Sequence, residues 1–214
     1  MSQYFPCVAF NLQGITAEGM NMARSNRQAL TTDELLAVLK AAKEHSNRDW
    51  ALLLTIYRHG LRASEAAALR LDDIQDGQLT VARVKGSMKT TQPVCKHPGQ
   101  PLLDEVRALA SWMKERSQDG SGALFVSRKG GHLTREQVYR VFRQHAETAD
   151  LPPKKRFVHV LKHSLASHLI AGNTNLAMVQ VALGHASLSS TQAYIHVSDA
   201  QAAEASRKAL MAIF

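Results

Sequence analysis

The hydrophobic period of this chain is helical on both sides of one short interruption, and that change of period constrains the fold more than any other feature. Thr31 with Glu34 forms a capping-box signature ahead of Leu35, Leu36, Val38, Leu39 and Ala42, which share one face of a helix. A second helix is predicted from Trp50 to Arg58, with Gly60 suited to the left-handed position just past its end. A short helix from near Ser64 is expected to bury Ala67, Ala68 and Leu71. The interruption follows: Asp76-Gly77 is a turn signal, Leu79, Val81 and Val84 read as a strand, and Gln92 to Val94 is its edge partner. Helical spacing returns from Leu102 to Arg116, a short strand is predicted at Ala123 to Ser127, and Thr134 with Gln137 caps a helix reaching Thr148. Pro152 and Pro153 end that region, and helices are expected over 159–171, 175–183, 188–195 and 198–214, the last capped by Ser198 with Gln201. The fold class is therefore α+β, mostly helical with one small antiparallel sheet.

A length of 214 residues suits one domain with a real core. Residues 29–214 carry the regular pattern and form the expected domain. Residues 1–28 lack a sustained period and read as an N-terminal appendage, either free to move or docked as an arm, with Met20 and Met22 as alternative starts of translation. No apolar run is long enough to span a bilayer, and no basic region precedes the apolar residues near the N-terminus, so a cytoplasmic protein is expected. Cys7 and Cys95 are far apart and read as free thiols. Twenty-six Lys and Arg against eighteen Asp and Glu give a net charge of +8, which favours a polyanionic partner. The basic residues gather at Arg83, Lys85 and Lys89, at Arg128 and Lys129, and at Lys154, Lys155 and Arg156. All lie in or beside turns, where a phosphate backbone can reach them.

Four stretches carry candidate chemistry. His59-Gly60-Leu61-Arg62-Ala63-Ser64-Glu65 places Arg62 between a helix-ending glycine and a short helix, rigidly held, with a guanidinium able to grip two phosphate oxygens or to pair with Glu65. The hairpin around Lys85 and Lys89 offers an ammonium that can give up a proton, unlike a guanidinium. His159 and Lys162 stand three apart at the start of a helix whose buried stripe is Leu161, Leu165 and Leu169. His159 and His163 are four apart, but Val160 stands where a zinc-protease motif needs Glu, so no metal is expected. Finally, Leu183-Gly184-His185 is followed nine residues later by Tyr194.

In this order and spacing, the stretches resemble the catalytic domain of tyrosine recombinases, the phage integrase family, over residues 31 to about 197. Arg62-Ala63-Ser64-Glu65 and Ser127-Arg128-Lys129-Gly130 also resemble the short recombinases that invert promoters in fimbrial phase variation. The resemblance implies Tyr194 as nucleophile, forming a 3′-phosphotyrosyl link. It also implies Arg62, Lys162 and His185 as cations on the phosphate, Lys85 as proton donor, with Lys89 the runner-up, and His159 orienting or deprotonating the nucleophile. Lys162 departs from the family pattern, which has arginine there. No cofactor is implied. The implied partners are double-stranded DNA with specific sites, further copies of the chain in a tetrameric synapse held by the C-terminal helix, and an accessory DNA-bending protein. Lys89, Arg128, Lys129, Lys154, Lys155 and Arg156 are the expected backbone contacts. The helical DNA-clamping domain that often precedes this one in the family is expected to be absent. A DNA-binding regulator without catalysis and a relaxing topoisomerase are the alternative readings.

Overall fold

The computed structural model describes residues 29–84 and 88–184. In chain order the elements are α1 (Thr32–His45), α2 (Asn47–His59), α3 (Ala63–Ala68), β1 (Ile74–Gln75), β2 (Gln78–Val81), β3 (Thr90–Pro93), α4 (Glu105–Glu115), α5 (Arg135–Thr148), α6 (His159–Ala171) and α7 (Leu176–Leu183). Helices surround α2, which is buried on nearly every face from Asp49 to Tyr57 and packs against α1, α4 and α6. α5 covers α1 and α3, while α7 lies on α6 and touches β3. The arrangement is α+β with a single three-stranded sheet among the described residues, as the periodicity predicts.

Local chemistry sets the boundaries. The Thr31 hydroxyl accepts from the Glu34 amide at 3.2 Å while the Glu34 carboxylate accepts from the Thr31 amide at 2.7 Å, and Thr134 and Gln137 repeat this reciprocal cap on α5. β1 and β2 are joined by Asp76 and Gly77, both at positive φ, a two-residue turn whose twist matches the strands. β2 pairs antiparallel with β3, setting Leu79 opposite Gln92 and Val81 opposite Thr90. No helix among the described residues is long and apolar enough to cross a membrane.

The α1–α2–α5 junction is fastened by a buried carboxylate. Asp49 Oδ2 lies 2.9 Å from His145 Nε2, with which it hydrogen-bonds, and 3.1 Å from His45 Nδ1, and Oδ1 accepts from Arg48 at 2.8 Å. Burial opposes ionisation of Asp49, but the His145 hydrogen bond and the Arg48 guanidinium outweigh it and hold its pKa at about 2.

Several expectations are corrected. The stretch Ala123 to Ser127 is no strand: it makes only isolated bridges, Arg70 to Ala123 and Val126 to His132, because positive-φ glycines at 120, 122, 130 and 131 turn the chain on either side. α4 begins at Glu105, since Asp104 caps it and Pro101–Leu103 forms a separate single turn. α3 buries Ala63, Ala66 and Ala67 with Leu69 behind it, leaving Ala68 exposed and Leu71 half-buried. Val84 lies past the end of β2 and is exposed. Cys95, expected as a free thiol, is disulfide-bonded, for distance along the chain does not limit which sulfurs a fold brings together. The appendage 1–28 and the helices expected over 188–195 and 198–214 lie outside the described residues.

Candidate active site

Two helix C-termini meet at the site. α2 ends in Gly60 at φ 57°, and α7 ends in Gly184 at φ 67°. The positive φ favours glycine at position 60, and a Cβ on Gly60 would lie 2.8 Å from Leu183 Cδ2, so that side chain would have to shift to admit one. The last carbonyls of both helices point into the gap, where the negative ends of two helix dipoles need cations. Two side chains supply them. Arg83 donates from Nη2 to His59 O at 2.8 Å, from Nη1 to Gly60 O at 3.2 Å, and from Nη2 to Ala182 O at 3.4 Å. Lys162 donates from Nζ to Gly60 O at 2.8 Å and to Leu183 O at 2.7 Å.

Glu65 organises the cations. Its carboxylate accepts from the Arg62 amide at 2.8 Å, from Arg62 Nη1 at 2.9 Å and from Arg83 Nη1 at 3.1 Å. It also accepts from the Val84 amide at 3.3 Å, which fixes the start of the loop after β2. Burial pushes the Glu65 pKa up, but these donors and the Arg83 charge pull it further down, so it remains a carboxylate. The Arg83 side chain is wholly buried, whereas that of Arg62 is 35% exposed. Arg62 is thus the member of the group that presents its guanidinium outward from a rigid base.

Behind this layer runs a polar chain. His59 Nε2 lies 2.8 Å from Glu105 Oε1, and His59 Nδ1 lies 2.8 Å from Gln92 Oε1. Gln92 Nε2 then donates to Ala182 O at 2.8 Å, which fixes the amide's orientation and makes His59 Nδ1 a donor. The chain ties α4, α2 and β3 to the end of α7. On the other side Met88 N donates to Gly184 O at 3.3 Å, so the loop between β2 and β3 is anchored on the same turn.

The residues expected from sequence are placed as follows. Arg62 and Lys162 are brought together through Gly60 and Glu65. His159 is exposed on the first turn of α6, its ring edge-on to His163 with centroids 4.6 Å apart. Lys85, His185 and Tyr194 lie outside the described residues. Lys89, Arg128, Lys129 and Lys154 are exposed. Lys155 and Arg156 are engaged within the fold: Lys155 Nζ contacts both Glu34 oxygens, at 2.9 and 2.6 Å, and Arg156 Nε donates to Leu151 O at 2.6 Å.

Lys162 is only 2% exposed. Burial, and then the neighbouring Arg83 guanidinium, push its pKa down to about 7 despite the opposing pull of Glu65. Sequence reasoning placed it on a face apart from the buried stripe, yet its neighbours at three, four and seven residues, Leu165, Ala166 and Leu169, are all buried. That spacing was the available signal. Arg83 was read only as part of a basic cluster; two residues beyond Val81 and four beyond Leu79, it occupies the inward phase of the alternating strand. His59, Gln92 and Glu105 carried no signal short of the fold itself.

Comparison with known proteins agrees with this picture. The profile of the phage integrase family matches residues 28–201. The tyrosine recombinase XerC of Erythrobacter litoralis is 38% identical over 152 residues, 71% of this chain and 47% of that protein. The type 1 fimbriae regulatory protein FimE of Escherichia coli K12 is 30% identical over 178 residues, 79% of this chain and 86% of that protein. The crystal structure of XerA recombinase superposes with a TM-score of 0.68 at 26% identity, covering 84% of this chain and 64% of that one. The chain thus spans about half the length of the XerC relative and most of FimE. Because the family match begins before α1 and runs past Tyr194, taking in the whole of the site, the chain belongs to the phage integrase family.

Proposed function

We propose that this chain is a site-specific DNA recombinase of the integrase or invertase type, cleaving and rejoining double-stranded DNA through a 3′-phosphotyrosyl intermediate. The observation that carries the reading is the position of Arg62, outward-facing yet fixed by a carboxylate that a buried arginine also holds. A guanidinium so held is preorganised for a phosphate, and little reorganisation is needed as charge develops on it. Tyr194 Oη attacks the scissile phosphorus, the P–O bond to the 5′ oxygen breaks, and that oxygen leaves with a proton from Lys85. Arg62 and His185 take the non-bridging oxygens, while His159 orients the nucleophile or accepts its proton. A 5′-hydroxyl of a second strand then attacks the phosphotyrosine, reforming a diester and releasing Tyr194, so that no external energy source is required.

The working unit in this reading is several copies on paired DNA sites, a tetramer joined through the C-terminal helix 198–214, in the cytoplasm at bacterial or phage DNA in the nucleoid. An accessory DNA-bending protein fits the same scheme. Exposed Lys89, Arg128, Lys129 and Lys154 suit the DNA backbone, whereas Lys155 and Arg156 serve the fold through Glu34 and Leu151. The test is covalent trapping on a nicked suicide substrate drawn from DNA flanking the gene. A protein–DNA adduct that exchanges strands supports recombination. Adduct with relaxation but no exchange indicates a topoisomerase, and binding without adduct indicates a regulator, the outcome that the inward turn of Lys162 would favour.

A further inference from the structure

Lys162 stands where the family resemblance expects an arginine on the phosphate, but its surroundings ask something else of it. We propose that Lys162 is a positioning residue, a hydrogen-bonding clamp between the carbonyls of Gly60 and Leu183 that sets Arg62 and the Gly184 turn in register, and that it does not contact the phosphate. This deepens the recombinase reading and rests on it for the catalytic part.

Three observations support the clamp. First, the amine makes 2.8 and 2.7 Å contacts to Gly60 O and Leu183 O, the carbonyls two residues before Arg62 and one residue before Gly184. Both carbonyls are helix-terminal groups without a partner in their own helix; Gly60 O is shared with Arg83 Nη1 at 3.2 Å, whereas Lys162 is the one donor to Leu183 O among the described residues. Second, two acceptors match the two N–H bonds of a neutral amine, so the clamp persists whether or not the third proton is present. A role in phosphate neutralisation has no such tolerance, because it requires the charge. Third, among the described residues the charge around it is already balanced toward positive: Arg62 and Arg83 both pair with Glu65, so there an ammonium would be a third cation against one anion. The depressed pKa agrees with that crowding. With the side chain 2% exposed, reaching a phosphate would require Lys162 to abandon both carbonyls, leaving Gly60 O to Arg83 alone and stripping Leu183 O of its donor among the described residues.

The experiment compares the full chain with Lys162→Met, which keeps the length and apolar stem but has no donor, and Lys162→Gln, whose amide restores two donors on a shorter stem. DNA-free protein is examined by melting and by amide hydrogen exchange at Leu61 and Gly184. DNA affinity and single-turnover cleavage of the suicide substrate are measured in parallel. The clamp predicts that Lys162→Met melts lower and exchanges at least tenfold faster at both amides. Cleavage should slow by tenfold or more, while affinity for uncleaved DNA stays within about threefold, as backbone contacts elsewhere supply most of it. Lys162→Gln should recover part of the exchange protection and part of the rate. Unchanged melting and exchange in Lys162→Met overturns the clamp, and slower cleavage with weaker DNA binding in that same case assigns Lys162 to the phosphate instead. If Lys162→Met does not fold, Lys162→Gln decides by the same readouts. If the unsubstituted protein forms no adduct, the recombinase reading fails, and the clamp is judged on melting and exchange alone.

Discussion

Arg83 and Glu65 form an ion pair 3.1 Å long in which neither side chain has any solvent exposure. Such a pair contributes little net stability when intact, but removing one partner leaves a buried charge uncompensated. Glu65→Gln should therefore lower the unfolding free energy by about 3–5 kcal/mol, well beyond the loss of an exposed pair. Chemical denaturation checks this. A loss below about 1 kcal/mol would mean that Arg83 finds compensation from the carbonyls alone.

Asp49 governs the acid limit of the fold. Its folded pKa is about 2 against an ordinary 3.8, so its contribution is complete above pH 4 and is lost as pH falls toward 2. The shift corresponds to about 2.5 kcal/mol. Asp49→Asn should flatten the pH dependence of stability between pH 4 and 2. An unaltered acid limb in that variant would show that other carboxylates set it.

Lys162 acts at the opposite end of the scale. Its folded pKa of about 7 lies below the ordinary 10.5, so between these values the unfolded chain binds the extra proton and stability rises with pH. Melting between pH 7 and 9.5 should show this rise in the unsubstituted protein and a smaller one in Lys162→Met. Parallel profiles would place the titration elsewhere.

In the proposed mechanism the Tyr194 hydroxyl is the nucleophile and Lys and Arg supply the binding, so Tyr194→Phe should abolish covalent adducts on suicide DNA while leaving affinity nearly unchanged. Affinity of both proteins should fall steeply between low and moderate salt, as released counterions require. Adducts formed by the phenylalanine variant would remove Tyr194 from its role.

The parts of the molecule that were legible in the sequence are those decided locally. Thr31 with Glu34 and Thr134 with Gln137 announce their helices because each cap is completed within four residues. Asp76-Gly77 announces its turn for the same reason, whereas the two-residue strand β1 before it is too short to show an alternation. Arg62 is singled out by the family resemblance, and the local sequence shows only that a helix-ending glycine and a short helix bracket it. Lys162 was found as a position and misjudged as an environment, since its acceptors lie 102 and 21 residues away. The Glu105–His59–Gln92 chain was invisible, for its three members come from α4, α2 and β3, and nothing in their local sequence links them.

The fit of Gly60 against Leu183 also has a temporal meaning. The contact of the Gly60 carbonyl with Lys162 forms only once the chain has run 102 positions further, and its steric neighbour Leu183 is more distant still along the chain. Closing so long a span comes at an entropic cost that shorter contacts among α1, α2 and α4 do not carry. During synthesis the early helices can settle while the gap between the two helix ends stays open. In a growing chain the two contacts of Lys162 that join these helix ends are therefore complete only once α7 has emerged, so this part of the fold is among the last to close.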